Sequence, residues 1–105
     1  MNAGKYELLA QAKIDLSERS SYLIENASDR VMLRFIRSVF STASLLSGFP
    51  SAGTKCLVGK KELAGLRRFP VKGFRNITIF YLPAESGIVV LRIVHSRRDL
   101  SRIWD

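Results

Sequence analysis

The sequence predicts an α+β fold, in which a two-helix hairpin packs on one face of a small, mostly antiparallel sheet in the order β-α-α-β-β-β. Apolar residues recur at helical spacing before Pro50 and alternate as in β-strands after it. The chain has 105 residues, which is the usual size of one domain. We therefore expect residues 1–105 to form a single domain.

The first helix is expected over residues 11–26, after a short stretch at residues 5–9 that suits an edge strand. Two isoleucines and two serines share one face of this helix: Ile14, Ser17, Ser21 and Ile24. Because serine is small, we expect this face to let another element approach closely.

A second helix is expected over residues 30–46. Ser28 and Asp29 are good N-cap residues before it, and Gly48 followed by Pro50 indicates its end. Its apolar residues recur every three or four positions: Met32, Phe35, Ile36, Val39, Phe40, Ala43 and Leu46. That spacing creates one apolar stripe along the helix. The short link between the two helices predicts an antiparallel hairpin.

The chain after Pro50 predicts a loop over residues 51–61 and then three strands. The strands are expected at residues 63–71, 76–82 and 88–95, joined by a turn at residues 72–73 and a hairpin loop at residues 83–87. In the last strand, alternation puts Val89, Leu91 and Ile93 on one face and Ile88, Val90 and Val94 on the other. Two helices cover only one face of a sheet, so the second apolar face is expected to be a concave site or the seat of a partner.

The composition excludes several classes of protein. The chain is 47% hydrophobic, which is enough for a core and excludes disorder. Its longest strongly apolar run, residues 88–94, is too short to span a bilayer. Cys56 is the single cysteine, so an internal disulfide and a paired-cysteine metal site are excluded, and we expect no metal or other cofactor. Acidic residues interrupt the early apolar stretch, so we expect no secretory signal and a cytoplasmic protein.

The net charge of +8 is not evenly spread along the chain. Residues 1–53 hold six basic and five acidic side chains, whereas residues 54–105 hold eleven basic and four acidic ones. The excess of +7 in the second half predicts an anionic partner, which is either nucleic acid or an acidic protein. Because the strands of that half carry apolar side chains on both faces, we favour a protein with its own apolar surface.

Several segments of the chain resemble the ParE branch of the RelE/ParE toxin superfamily. In the second half they are residues 66–71, 73–75, 79–81, 90–95 and 97–99. In the first helix the residues that fit the family pattern are Ala12, Asp15, Leu16, Tyr22 and Leu23. Arg19 departs from that pattern, because the family more often has an apolar residue there. The order β-α-α-β-β-β is also that of the family.

The resemblance implies the toxin of a bacterial type II toxin–antitoxin system. The implied partner is a small ParD-like antitoxin whose acidic and apolar tail wraps the toxin, by helix-in-groove binding or strand addition, in a hetero-oligomer. Two activities occur in the superfamily. ParE-like members inhibit DNA gyrase without being nucleases, and RelE-like members cleave messenger RNA on the ribosome.

Cleavage of RNA by attack of its 2′-hydroxyl needs a general base, a proton donor and cations that stabilise the phosphorane. By resemblance, Arg68, Arg75 and Arg98 stand at positions of cationic site residues in the RelE branch. Leu66 replaces a second lysine of that site, and Trp104 replaces its tail tyrosine. An indole cannot exchange a proton as a phenol does, and an arginine stays charged.

His95 is then the remaining candidate for proton transfer, with a satisfied hydrogen bond at the end of the last strand as the structural alternative. We therefore favour a non-enzymatic gyrase inhibitor, in which no catalytic residue is expected. A ribosome-dependent messenger-RNA endoribonuclease that uses Arg68, Arg75, Arg98 and His95 is the alternative. A general basic nucleic-acid-binding module is a third, more modest interpretation.

Six arginines and one tryptophan are the candidates for binding the target or the antitoxin: Arg67, Arg68, Arg75, Arg92, Arg97, Arg98 and Trp104. Arg92 interrupts an apolar strand, and an unpaired buried cation is costly, so we expect it to be exposed or to face a partner. Trp104 lies near the chain end and suits an interface anchor.

Overall fold

A computed structural model of the protein describes residues 4–96 and Trp104. Its elements follow in this order: β1 (Lys5–Leu8), α1 (Ala10–Asn26), α2 (Asp29–Gly48), β2 (Thr54–Lys55), a 3-10 turn (Lys61–Leu63), β3 (Arg67–Val71), β4 (Phe74–Ala84) and β5 (Gly87–His95). The strands form one sheet in the order β1-β5-β4-β3-β2. β1 is parallel to β5, and the other neighbours are antiparallel. The predicted fold class is confirmed, with the short strand β2 added inside the predicted loop.

Helix α2 forms as its apolar pattern predicts. The Ser28 hydroxyl accepts a hydrogen bond from the Val31 N–H at 3.1 Å, which confirms the predicted N-cap. Four stripe residues are fully buried: Phe35, Val39, Ala43 and Leu46. The helix continues through Gly48, two residues further than expected, and the Phe49 N–H closes it on the Leu45 carbonyl at 3.1 Å. Among the described helices, none is long and apolar enough to cross a membrane.

Helix α1 turns a different face to the sheet from the one predicted. Ile14 and Ile24 are 50% and 48% exposed, whereas Ala12 and Asp15 are buried. Ala12 has only a methyl group, which lets the helix backbone approach the sheet, and the Asp15 carboxylate finds polar partners on β5. Burial of an acidic side chain is not visible in hydropathy, so the apolar spacing alone indicated the wrong face.

The main core lies between the helical hairpin and the sheet. Its buried members are Ala12, Phe35, Val39, Ala43, Leu46, Val71, Ile77, Ile79, Tyr81, Ile88, Val90 and Ile93. Phe74 packs edge-to-face on Phe35, with ring centroids 5.4 Å apart. This aromatic pair extends the core to the place where β4 begins.

The second face of the sheet is covered by the chain itself, so the expectation of an open face was wrong. Leu66, Phe80 and Val94 form a small buried cluster on this face. Cys56, Val58 and Leu63, from the segment between β2 and β3, pack against it, together with Leu82, Leu91 and Trp104. The Trp104 ring meets the Phe80 ring edge-to-face at 5.4 Å, and its carbonyl accepts a hydrogen bond from the Lys60 amine.

A β-bulge in β5 changes which of its residues face the helices. Phe80 pairs with Arg92 and Tyr81 pairs with Val90, so Leu91 is an extra residue without an opposite number on β4. Val90 and Ile93 therefore both belong to the core under the helices. The prediction that Ile93 and Leu91 lie on the same face of the sheet was wrong, because the bulge interrupts the alternation of side chains along β5.

Candidate functional site

An open cleft of about 850 Å³ lies on the helix side of the sheet. Its lining comes from both helices, the turn before β4, the start of β4 and the end of β5: Arg19, Tyr22, Leu23, Arg34, Gly73, Phe74, Arg75, Asn76, Ile77 and His95. We call this site the cationic cleft, after Arg19, Arg34 and Arg75. None of its described lining residues is acidic.

Two of the arginines in the cationic cleft lie over aromatic rings. The Arg19 guanidinium carbon is 4.6 Å from the centroid of the Tyr22 ring, and that of Arg34 is 5.5 Å from the centroid of the Phe74 ring. A guanidinium that lies over a ring keeps its N–H groups available at its edge. These contacts orient two bidentate donors for a carboxylate or a phosphate before any ligand arrives.

A buried ion pair fixes α1 to β5 beside the cleft. The Asp15 carboxylate accepts hydrogen bonds from Arg92 Nε at 2.8 Å and Arg92 Nη2 at 3.1 Å. It also accepts from the Ile93 N–H at 2.9 Å and from the Gln11 amide at 3.2 Å. β1 pairs with β5 only as far as Val90. Beyond that point the Asp15 carboxylate accepts the hydrogen bond from the Ile93 N–H at the edge of β5. The Arg92 side chain is only 13% exposed and is paired, so the expectation that it is exposed was wrong.

The surroundings of Asp15 alter its acidity. Burial by itself raises the pKa of the Asp15 carboxyl. Hydrogen bonds from Arg92, the Ile93 N–H and Gln11, together with the Arg92 charge, outweigh burial and hold this pKa below its ordinary value.

This shift predicts a loss of stability in acid. The unfolded chain binds a proton at Asp15 near the ordinary pKa of about 3.9, while the folded chain does so only at lower pH. The stabilisation is present above the ordinary pKa and is lost as the pH falls through the lowered one. We expect the urea midpoint of the wild-type chain to fall more steeply between about pH 5 and pH 2 than that of Asp15→Asn. Parallel curves for the two proteins would show that Asp15 does not contribute.

Tyr81 and Arg67 hold the segment that follows α2. The Tyr81 hydroxyl donates to the Pro50 carbonyl at 2.8 Å and accepts from the Gly53 N–H at 2.9 Å. Arg67 Nη1 donates to the carbonyls of Ser51 and Gly53 at 3.1 and 2.6 Å. The Arg67 guanidinium is thus engaged inside the chain, and its predicted role in binding a partner stays a prediction.

Replacing Tyr81 with phenylalanine should lower the free energy of unfolding by about 2 kcal/mol, since it leaves a buried N–H and a carbonyl without their partner. Urea denaturation measures the change. Tyr22→Phe is the matched control, because the Tyr22 ring is 52% exposed, and we expect it to change stability by less than about 0.5 kcal/mol. Equal effects of the two substitutions would contradict the structural role of the Tyr81 hydroxyl.

The candidate nuclease residues lie on different sides of the sheet. Arg68 pairs with Phe80 and shares its face, away from the helices. Arg75 and His95 line the cationic cleft on the helix side. Arg97 and Arg98 lie outside the described residues. The structure therefore brings Arg75 and His95 together and separates both from Arg68.

Sequence reasoning missed part of the site. Arg19 was noted only as a departure from a family pattern, and Arg34 was not singled out. The three-residue spacing of Arg19 and Tyr22 on α1 could have indicated their contact. Arg34 and Phe74 gave no such signal, because they meet only after the sheet has folded onto α2. The pairing of Asp15 with Arg92 spans 77 positions of the chain and was likewise invisible.

Comparisons with known proteins agree with the fold. A family model described as the ParE toxin of type II toxin-antitoxin system, parDE, matches residues 6–100. A search of curated proteins finds no match. The chain is similar to a solved structure titled "Chromosomal ParDE TA system from P. aeruginosa", with a TM-score of 0.70 and 15% sequence identity over 89% of this chain and 96% of that chain. At that identity the structural likeness concerns the fold alone. Because the family model spans nearly the whole sequence, the chain belongs to the ParE toxin family of type II toxin–antitoxin systems.

Proposed function

We propose that the protein inhibits DNA gyrase without being an enzyme and is held inactive in the bacterial cytoplasm by a ParD-like antitoxin. The observation that carries this proposal is the family match over residues 6–100. The chain resembles the branch whose members inhibit DNA gyrase, and this is the reason for proposing gyrase as the target. Toxins of this family are paired with an antitoxin, and this is the reason for proposing a ParD-like partner. A hetero-oligomer with the antitoxin is the resting form in this proposal.

The placement of the cations supports binding over catalysis. A nuclease site needs its cations and its proton-transfer groups around one phosphate. Arg68 lies on the sheet face opposite the cationic cleft. Trp104 packs on Phe80, and its indole N–H is far too weak an acid to protonate a leaving oxygen.

A supercoiling assay tests the proposal. Purified toxin should stop gyrase from supercoiling relaxed plasmid at concentrations that match those reached in growth-arrested cells. The same toxin preincubated with its antitoxin should leave supercoiling intact. If gyrase still supercoils the plasmid in the presence of the free toxin, gyrase is not the target.

The alternative is a ribosome-dependent messenger-RNA endoribonuclease, and one observation favours it. Arg75 and His95 line the same cleft, so a cation and an imidazole, the side chain most often used for proton transfer, face one open space.

His95→Gln separates the two functions, because glutamine keeps hydrogen bonding and removes proton transfer. We expect the expression level needed for growth arrest to change by less than about threefold, whereas loss of a general acid or base costs about 10²–10⁴-fold in rate. Titration of growth arrest with an inducible promoter measures the change. A loss of two orders of magnitude in this assay would support the nuclease.

A further inference from the structure

We propose that two copies of the chain pair through the outer edge of β1, so that their sheets join across a two-fold axis at Tyr6. The pairing is antiparallel, and it places Lys5 of each copy opposite Glu7 of the other. This inference goes beyond the proposed function. It rests on the edge of the sheet, so it does not depend on whether gyrase is the target.

The outer edge of β1 has backbone groups that no described strand uses. β1 is the end strand of the sheet, and its inner edge pairs in parallel with β5. The Lys5 and Leu9 N–H groups donate inward, to carbonyls in and just before β5, at 2.8 and 3.0 Å. Because backbone groups alternate in direction along a strand, the N–H and carbonyl groups of Tyr6 and Leu8 point away from the sheet. An unpaired edge of this kind is a template for another strand.

The opposite edge of the sheet is protected against strand addition. β2 pairs only with the first two residues of β3. The Leu66 carbonyl accepts a hydrogen bond from the Cys56 N–H, so alternate residues from Leu66 onward face away from β4, and Pro70 is among them. Proline has no N–H to offer a further strand and is typical of edges that avoid pairing. β1 contains no proline between Lys5 and Leu8.

The charges of β1 select one register for a second copy. Leu8 packs into the core under the helices, so Lys5 and Glu7 lie on the other face of the sheet, where both are exposed. With Tyr6 opposite Tyr6, each Lys5 stands directly across from a Glu7. The outward groups of Gly4, Tyr6 and Leu8 then meet in a ladder of about six backbone hydrogen bonds. A register centred on Lys5 or on Glu7 would instead bring like charges together, which is destabilising.

Apolar side chains beside this edge are covered in the same dimer. Tyr6, Leu9 and Phe40 are 37%, 41% and 37% exposed. The centroids of the Tyr6 and Phe40 rings are 6.2 Å apart, so these rings form one patch on the helix side of β1. With Tyr6 at the axis the patches of two copies meet, which gives the self-complementary contact that a two-fold interface requires. Aromatic side chains are enriched at such interfaces.

Charge reversal on the purified full-length chain tests the inference. Lys5→Glu and Glu7→Lys each replace both cross-strand ion pairs of the dimer with like charges. An equal mixture of the two variants restores both pairs, because one chain then carries only acids at these positions and the other only bases. The double variant Lys5→Glu/Glu7→Lys restores them within one protein. The matched controls are Lys72→Glu and Glu25→Lys, which reverse exposed charges outside β1.

Sedimentation equilibrium measures the dissociation constant of the dimer. We expect each single reversal to weaken dimerisation by at least about tenfold, since two attractive cross-strand pairs become repulsive. The mixture, the double variant and both controls should stay within about threefold of the wild-type chain. In hydrogen exchange, the Tyr6 and Leu8 amides should exchange more slowly as the protein concentration rises, because only the dimer pairs them.

Three results would overturn the inference. The first is a wild-type chain that stays monomeric up to about millimolar concentration, which would leave the edge to a different partner. The second is a dimer that neither single reversal weakens, which would place the contact elsewhere. The third is a loss in the single reversals that the mixture does not restore, which would show that ion pairing across β1 is not the cause. The supercoiling assay is scored separately, and its outcome bears on gyrase alone.

Discussion

Replacing Asp15 with alanine should lower the free energy of unfolding by about 3–5 kcal/mol, because it leaves the Arg92 cation buried without a partner. The Arg92 side chain is 13% exposed, so water reaches it only in part. The Ile93 N–H also loses its acceptor at the edge of β5. Both penalties fall where α1 meets the sheet, beside the cationic cleft.

Urea denaturation of Asp15→Ala against Glu18→Ala measures this effect. Glu18 is an exposed acid on the same helix, and its removal should change stability by less than about 0.5 kcal/mol. The double variant Asp15→Leu/Arg92→Met removes both charges and should recover a large part of the loss, as replaced buried ion pairs do. A double variant as unstable as Asp15→Ala would contradict the view that the unpaired cation is the main cost.

Gly87→Ala should detach strand β1 from the sheet. A Cβ atom at Gly87 would lie 1.6 Å from the Lys5 carbonyl oxygen and 2.6 Å from the Lys5 carbonyl carbon. These atoms belong to the backbone of the parallel neighbour, which pairs with Gly87 in register and cannot rotate away as a side chain does. We expect a loss of about 3 kcal/mol, at the upper end of the penalties for overpacking.

Hydrogen exchange locates that loss. The amides of Lys5 and Leu9, which donate to Ser86 and Val90, should exchange faster in Gly87→Ala than in the wild-type chain. Gly48→Ala is the control, because a Cβ there meets nothing within 4 Å at the end of a helix. It should stabilise the chain by up to about 0.5–1 kcal/mol. Unchanged exchange at Lys5 in Gly87→Ala would mean that β1 shifts without detaching.

The sequence predicted the parts of the fold that local patterns determine. Helix α2 carries a regular apolar stripe, a serine cap and a glycine and proline near its end, and each of these acts within a few residues. The strands after Pro50 are marked by β-branched residues and turns in the same way. These signals are sufficient for the element order and the fold class.

The rest depended on contacts between distant residues. The bulge at Leu91 is set by the register of β5 against β4, and alternation along β5 alone cannot reveal it. Trp104 packs on Phe80, which lies 24 positions earlier in the sequence, and no local pattern indicates this contact. In the site, the family pattern indicated Asp15 and Arg92 separately, while their pairing and the meeting of Arg34 with Phe74 needed the folded chain.

The charge asymmetry acquires a more specific meaning in the folded chain. Of the arginines predicted to bind a partner, Arg67 and Arg92 stabilise the fold through their own hydrogen bonds. Arg75 lies in a cleft with Arg19 and Arg34 from the nearly neutral first half of the sequence. The cationic cleft is therefore assembled from both halves of the chain, which the division of net charge along the sequence does not indicate.

In the proposed function these cations bind a protein and take no part in RNA cleavage. The most direct test follows two molecules in the same culture after induction of the chain: plasmid topology on chloroquine gels, and the length of ribosome-bound messenger RNA. We expect relaxed plasmid and full-length message at the time growth stops. Truncated message with normally supercoiled plasmid would contradict the claim.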